Sequence, residues 1–436
     1  MEGQQVSKVR ITKRAVDALR PGETIFDTEV VGLGARCQKS KTVYFLKSIV
    51  KGQQQWLTIG KHGSPFTAEM ARNEALKLLG TIAQGGDPAQ AKRDEKAAQT
   101  VGELCDMYFK DALAGRILTR AGVPKRPSTL ATDVGRAERH IKPLLGRKKV
   151  KDLTKVDVRR FMNDIVAGKT KAVVVTKKRG KAIVDGGWGT ATRTVGLLGA
   201  ILQYGVRNGL RADNPAHGVE RRRDRVRDRY LTPEEYRALG KALRFAEISG
   251  ANQKGLTVIR LLALTGCRKN EIQTLHWSYI DFPRSCLRLP ATKTGKSIRP
   301  LGQVVLGLLQ TLPRYNNTDA ILPGDRGPHY DGTPKIMNLV RDTAKLDDRD
   351  EEGRFNVTLH TLRHSFATMA NELGFTEATI ASMLGHRLGT ITSRYIHHLD
   401  SSLVAAATKV SQHIADLLQA GADEADAEYH QIQKAA

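Results

Sequence analysis

The stretch "HTLRH", residues 360–364, sets His360, Arg363 and His364 within one or two turns of what reads as a helix. Three chemistries compete for such a set: a metal site, a phosphate clamp, and the polar side of an ordinary helix. A zinc-protease helix carries two histidines four apart, with a glutamate beside the first as general base. Here the second position is Thr361, and a guanidinium lies between the histidines, where a dication is unfavourable. Phosphate is the better partner. Arginine offers its oxygens a two-pronged fork, and histidine donates a hydrogen bond or a proton. Alone, the stretch is still matched by many solvated helix faces.

Its neighbours in sequence raise its weight. In "MLGHRLGTITSRYIHH", Ile380, Met383 and Leu384 belong to a helix that Gly385 can end, so His386 falls in the following turn. Thr390 or Thr392 can cap the next helix, whose first turns hold Tyr395, and a helix N-terminus attracts phosphate. Upstream, in "LLALTGCRKNEIQTLHW", Arg268 follows an apolar helix and a Thr-Gly turn, and Glu271 opens the next helix. Between these regions "ATKTGKSIRPL" puts Lys293 at the tip of a β-hairpin. Each residue also has an ordinary reading. Tyr395 fits a buried helix position, Lys293 a solvated turn with Lys296 as a rival for its role, and Arg268 a helix C-cap. His397 and His398 read as surface.

Taken in order, these residues resemble the tyrosine recombinase (phage integrase) family, over roughly residues 230–415. That family carries Arg, Lys, His-x-x-Arg, His or Trp, and Tyr. The matches are Arg268 in "TGCRKNEI", Lys293 in "TKTGK", His360 and Arg363 in "HTLRH", His386 in "LGH" and Tyr395 in "SRYIHH". Asn270 departs mildly from a position where a small residue is frequent, but it leaves Arg268 and Glu271 in register. The resemblance implies that Tyr395 attacks a DNA phosphodiester, losing the proton of a phenol with an ordinary pKa near ~10. Arg268, Arg363 and His386 would hold the charge that builds on the non-bridging oxygens. Lys293 would protonate the leaving 5′-oxygen, and His360 would serve proton transfer near the nucleophile. The product would be a 3′-phosphotyrosine with a free 5′-hydroxyl. One phosphoester replaces another, so no ATP, metal or other cofactor is implied.

The elements that must position these residues begin with a strongly basic chain. Its 436 residues suffice for two to four domains, and 70 Lys and Arg against 45 Asp and Glu give a formal charge of +25. The excess is spread along the chain, with dense patches at "KTKAVVVTKKRGK" and "RRRDRVRDR", which favours an extended polyanion, meaning nucleic acid; the resemblance makes it double-stranded DNA. No apolar segment approaches the ~20 residues needed to span a bilayer, and the N-terminus lacks the apolar run of a signal peptide. Cys37, Cys105, Cys267 and Cys286 form no CxxC pair. Zinc spacing is absent and a reducing cytoplasm fits best.

Periodicity then divides the chain. The expected fold class is α+β and multidomain: a small α+β domain at 1–93, an all-α domain at 94–225, a mainly helical domain with a small antiparallel sheet at 226–416, and a C-terminal tail at 417–436. In the first, "VVGLGARCQ", "KTVYFLKSIV" and "QQWLTIG" read as strands. A helix capped by Thr67 follows, with Ala71, Ala75, Leu78, Leu79 and Ile82 in one stripe. "GGDPAQAKRDEKAAQ" lacks apolar periodicity and reads as a linker. In the second, Thr100, Ser128 and Thr154 can cap successive helices, and a last helix runs through Val195, Leu198, Leu202 and Val206. A basic insertion, about 168–187, reads as a loop or a hairpin. "ERRRDRVRDR" is a second linker. "LTPEEYRAL" then starts the third domain with Thr232 as N-cap and Glu235 completing a capping box. The helix of "HTLRH" is expected from about 359 to Leu373, stopped at Gly374, with His360, Arg363 and His364 turned toward solvent or a cleft.

The resemblance extends to these regions. Residues 8–93 are similar to the N-terminal domain of genomic-island and satellite-phage integrases, which implies binding to arm sites. Residues 100–219 look like a helical core-binding domain. A C-shaped clamp on DNA and a tetramer at the crossover are implied. So are a possible excisionase or directionality factor, a host DNA-bending protein, and a bacterial, cytoplasmic, nucleoid-associated setting without membrane. Two rivals stand beside this reading. A type IB topoisomerase uses similar residues, but an arm-site domain argues against it. A DNA-binding protein on an inactive scaffold is opposed by the intact six-residue set.

Overall fold

The computed structural model describes residues 6–63, 65–177, 180–222, 228–292, 295–325, 327–350, 353–386 and 401–435. Two compact units emerge, Met1–Asp224 and Arg225–Ala436, and the expected multidomain α+β architecture is present.

The first unit opens with a five-stranded sheet in the order β1-β2-β3-β4-β5: Val6–Lys8, Thr24–Phe26, Leu33–Cys37, Thr42–Val50 and Gln53–Lys61. β1 and β2 are parallel, joined across the short helix α1, Lys13–Asp17, and the other pairs are antiparallel. Helix α2, Ala68–Ala83, is capped by Thr67, whose Oγ1 accepts the Met70 N–H at 3.2 Å. It lays Ala71 and Ala75 on the sheet, with Leu78, Leu79 and Ile82 at the rim of the same core. The segment expected to be a linker is instead helix α3, Pro88–Ala97, with no buried residue. Its cap explains it. Asp87 accepts the Gln90 N–H at 2.9 Å and Pro88 occupies the first position. Ala, Gln, Lys and Glu then propagate a helix that needs no apolar stripe.

A separate core follows. Helix α4, Val101–Leu113, and helix α7, Lys155–Val166, both start with capping boxes, at Thr100 and Thr154 as expected. Between them α5 spans Pro127–Arg136 and continues through a π turn into α6, Lys142–Leu145. Ser128 is not its cap. Arg126 takes that position, because Pro127 at the first helical position fixes the start one residue earlier. The basic insertion is a hairpin, β6 Ala172–Lys177 and β7 Gly180–Val184, and helix α8, Gly187–Arg207, closes the core with Val195, Leu198 and Leu202 buried.

In the second unit the central element is α10, Gln253–Thr265, in which every residue from Gly255 onward except Arg260 is buried. A helix apolar all round belongs in the middle of a core. Around it pack α9, Pro233–Ile248, with the expected Thr232–Glu235 capping box, α13, Thr333–Thr343, α14, Thr361–Glu372, and the long α16, Ser401–Ala435. Short helices α11, Lys269–Gln273, α12, Gln303–Gln310, and α15, Glu377–Leu384, complete the shell. A three-stranded sheet, β8 Ile280–Asp281, β9 Cys286–Thr292 and β10 Gly295–Pro300, runs in the order β10-β9-β8. The tail expected at 417–436 is corrected: through residue 435 it is the second half of α16. Leu417, Leu418 and Ala425 are buried there, and Asp426 and Glu428 pair with Arg244 and Lys241 of α9. Polar composition hid an apolar stripe narrowed by alanine and glycine. Among the described residues no helix is long and apolar enough to cross a membrane.

Candidate active site

Three chain turns meet at the end of α10. The helix finishes on Gly266, whose left-handed backbone (φ +59°) leads through Cys267 into Arg268, the N-cap residue of α11. One turn on, Glu271 folds back. Its Oε2 accepts the Arg268 backbone N–H at 2.9 Å and its Oε1 accepts Arg268 Nη1 at 2.8 Å. A single carboxylate thus fixes both the backbone and the guanidinium of Arg268, whose side chain stays 23% exposed.

Helix α14 starts two residues later than expected, at Thr361, with His360 as its N-cap. Thr361 pins this start, its Oγ1 accepting the Thr358 N–H at 2.9 Å and donating to the Asn356 carbonyl at 2.9 Å. Leu362, Phe366 and Met369, four and three residues apart, face the core. Arg363 does not belong to a polar outer face. It is 5% exposed, and its Nη1 donates to the Gly266 carbonyl at 2.7 Å while Nη2 donates to the Leu384 carbonyl at 3.0 Å. Carbonyls left over at the ends of α10 and α15 are what allow a guanidinium to sit there. His360 and His364 remain exposed, their rings meeting edge to face at 4.8 Å.

His386 follows α15 in the turn made by Gly385, as expected from "LGH". Its Nε2 lies 2.8 Å from Arg363 Nη2. A guanidinium can only donate, so Nε2 accepts and the ring proton sits on Nδ1. Partial desolvation, then the charges of Arg363, Arg268 and Arg299, hold the imidazole pKa below its ordinary value, which keeps this neutral tautomer. Burial, then Arg268 and Arg299, lowers the Arg363 guanidinium to about 10.

Two side chains beyond the expected set join this cluster. Glu271 buttresses Arg268, and its signal was the capping-box spacing. Arg299 of β10 is 1% exposed and donates from Nη2 to Glu271 Oε1 at 3.0 Å. Its signal lay in the hairpin's alternation, which is inverted: Ile298 points out and Arg299 points in. Among the described residues, Arg268 and Arg299 both ion-pair with one carboxylate, Glu271, while Arg363 is held by the Gly266 and Leu384 carbonyls and His386. The carboxylate itself is opposed by burial but held ionised by Arg299 and Arg268, and its pKa is lowered. Such a surplus of fixed positive charge, with donors at the surface, is built to receive an anion. Of the expected site residues, Arg268, Arg363 and His386 come together, with His360 one helical turn before Arg363. Lys293 and Tyr395 lie outside the described residues. Lys296, the rival lysine, is exposed on β10.

Comparison with known proteins agrees along the chain. Residues 229–402 match the phage integrase family, residues 11–95 an arm DNA-binding domain, and residues 100–166 the N-terminal SAM-like domain of phage integrases. The chain belongs to the phage integrase family. It is thus a tyrosine-type site-specific DNA recombinase of the kind mobile elements carry. Among its relatives, prophage integrase IntZ of Escherichia coli K12 is 25% identical over 384 residues, covering 85% of this chain and 86% of that protein. The fold is shared with phage integrases of known structure. A lambda integrase dimer bound to a COC′ core site aligns with TM-score 0.54 and 18% identity over 82% of this chain and 94% of the other. A lambda integrase tetramer bound to a Holliday junction aligns with TM-score 0.53 and 18% identity over 80% and 94%.

Proposed function

We propose that this integrase cuts and rejoins DNA at the attachment sites of a mobile element, with Tyr395 as nucleophile. The phenol loses its proton as its oxygen bonds to phosphorus, the bond from phosphorus to the 5′-oxygen breaks, and that oxygen takes a proton from Lys293. Arg268, Arg363 and the Nδ1–H of His386 hold the charge that builds on the non-bridging oxygens. His360 moves a proton near the nucleophile. The 5′-hydroxyl of a partner strand reverses the step, so each phosphoester is exchanged for another and no energy is drawn from ATP. The observation that carries this reading is the cluster itself: three guanidiniums around one carboxylate, with Arg363 in contact with His386.

The partners in this reading are core and arm sites on double-stranded DNA. The first ~93 residues take the arm sites, about 94–225 hold the core, and 226 onward, including α16, catalyse. Exchange between four DNA arms calls for a tetramer, as in the lambda integrase assembly on a Holliday junction. An excisionase and a host bending protein would set direction.

Tyr395→Phe tests the nucleophile. On a nicked duplex spanning the element's crossover, which traps the cleaved product, the wild-type chain is expected to form a covalent adduct. The phenylalanine variant should form none while binding the duplex within a few-fold. An adduct from that variant would remove Tyr395 from the role.

A further inference from the structure

Arg299 heads the largest fully buried side chains of the described residues, yet it has none of the roles given above. Its guanidinium touches two parts of the site. Through Nη2 it shares Glu271 Oε1 with Arg268. On its other side it lies against the turn that carries His386: a Cβ on Gly385 would come within 1.9 Å of Arg299 Nη1 and 2.6 Å of Ser297 Oγ. Gly385 therefore has two reasons to be glycine, its left-handed backbone (φ +59°) and the guanidinium under it. We propose that Arg299 is a positioning residue for strand cleavage, one that sets the spacing between Arg268 and His386 from beneath and adds a fixed positive charge under the phosphate.

Energetics separate this from a structural role. A buried guanidinium is costly unless its donors are matched, and Arg299 Nε and Nη1 have no hydrogen-bond partner among the described residues. Removing Arg299 does not orphan Glu271, because Arg268 still holds it from two sides. An apolar chain of similar length should therefore be tolerated or stabilising. A group that costs stability at a site is retained for what it does there. Arg299 also ties the strand after Lys293 to the arginine and histidine of the site, so the hairpin and the phosphate donors share one anchor.

The inference rests on the reading above, and the test separates the two. Full-length Arg299→Met and Arg299→Lys are compared with wild type on the nicked crossover duplex. The methionine variant should melt at or above the wild-type temperature and bind the duplex within a few-fold. It should form adduct ~100-fold more slowly, the usual scale for a displaced reacting geometry. The lysine variant keeps the charge but cannot reach both Glu271 and the Gly385 turn, so its rate should fall between the two. A second readout is the titration of the His386 imidazole by NMR in the free protein. Among the described residues the charged groups facing it are Arg363 of α14, Arg268 and Glu271 at α11, and Arg299 of β10. Its pKa should rise in the methionine variant and hold in the lysine variant. A methionine variant with wild-type rate, a rate lost only in step with folded fraction, or an unmoved His386 titration would overturn the proposal. If wild type forms no adduct, the cleavage reading fails, while the His386 titration still decides the role of Arg299.

Discussion

At the scale of the residue, the site is a matter of proton inventory. A guanidinium is not a proton source, and His386 accepts from Arg363 through Nε2, its pKa lowered first by desolvation and then by the neighbouring arginines. The acid for the leaving oxygen must therefore come from elsewhere, and the β9–β10 hairpin offers two lysines. Lys293, which falls between β9 and β10 in the sequence, is the proposed acid and Lys296 the competitor. Lys293→Ala should slow cleavage of an ordinary phosphodiester by ~10²–10⁴-fold, the range of a lost general acid. A substrate with sulfur in the 5′-bridging position should restore the rate, because sulfur leaves without a proton. Lys296→Ala should respond to neither substrate. Rescue of Lys296→Ala instead would move the acid by three residues. The six candidates are read from residue type and family order; of them Arg268, Arg363 and His386 come together among the described residues, while Lys293 and Tyr395 lie outside them. Arg299 was not legible in this way, because a single arginine in a hairpin looks solvated until the pairing register shows which face it occupies.

At the scale of the element, caps were the readable signal and polar helices the unreadable one. Thr67, Thr100, Thr154 and Thr232 all accept the hydrogen bonds expected of N-caps. Ser128 failed because a proline one position earlier had already set the start. α3 and the far half of α16 were missed for one reason: periodicity counts large apolar residues, and these helices use alanine, glycine and ion pairs. In α16 the small residues bring backbones together. A Cβ on Gly421 would lie 1.9 Å from the Arg237 carbonyl oxygen, and one on Gly240 would lie 2.0 Å from the Leu418 carbonyl oxygen. Neither oxygen can swing away, since each belongs to a helix backbone. Gly421→Val should thus destabilise the protein toward the upper end of the ~1–3 kcal/mol typical of overpacking, read as a lower denaturant midpoint. Lys241→Ala, which removes the surface pair to Glu428, should cost less than ~1 kcal/mol. Equal effects would mean that charge, not close packing, joins α9 to α16.

At the scale of the whole molecule, the surplus of +25 favours binding to any DNA, and the choice of site is left to base contacts and to the number of sites held at once. The first unit contains two hydrophobic cores with no residue in common, one of buried residues between Ile11 and Ala75 and one of buried residues between Val101 and Val219. Between them runs α3, which buries nothing. A module with its own core and a polar connection can be removed without opening its neighbour. Deleting residues 1–97 does forfeit the ion pair of Glu95 with Lys151, an exposed contact of little worth. The truncated chain should therefore still fold and still form the covalent adduct on a core-site duplex at near the wild-type rate. Recombination between full attachment sites should fall by ~10²-fold or more, because a tethered arm contact raises the local concentration of enzyme at the crossover. The isolated N-terminal module should footprint on DNA outside the core. Full recombination by the truncated chain, or protection confined to the core, would assign the module to protein contacts rather than to arm sites.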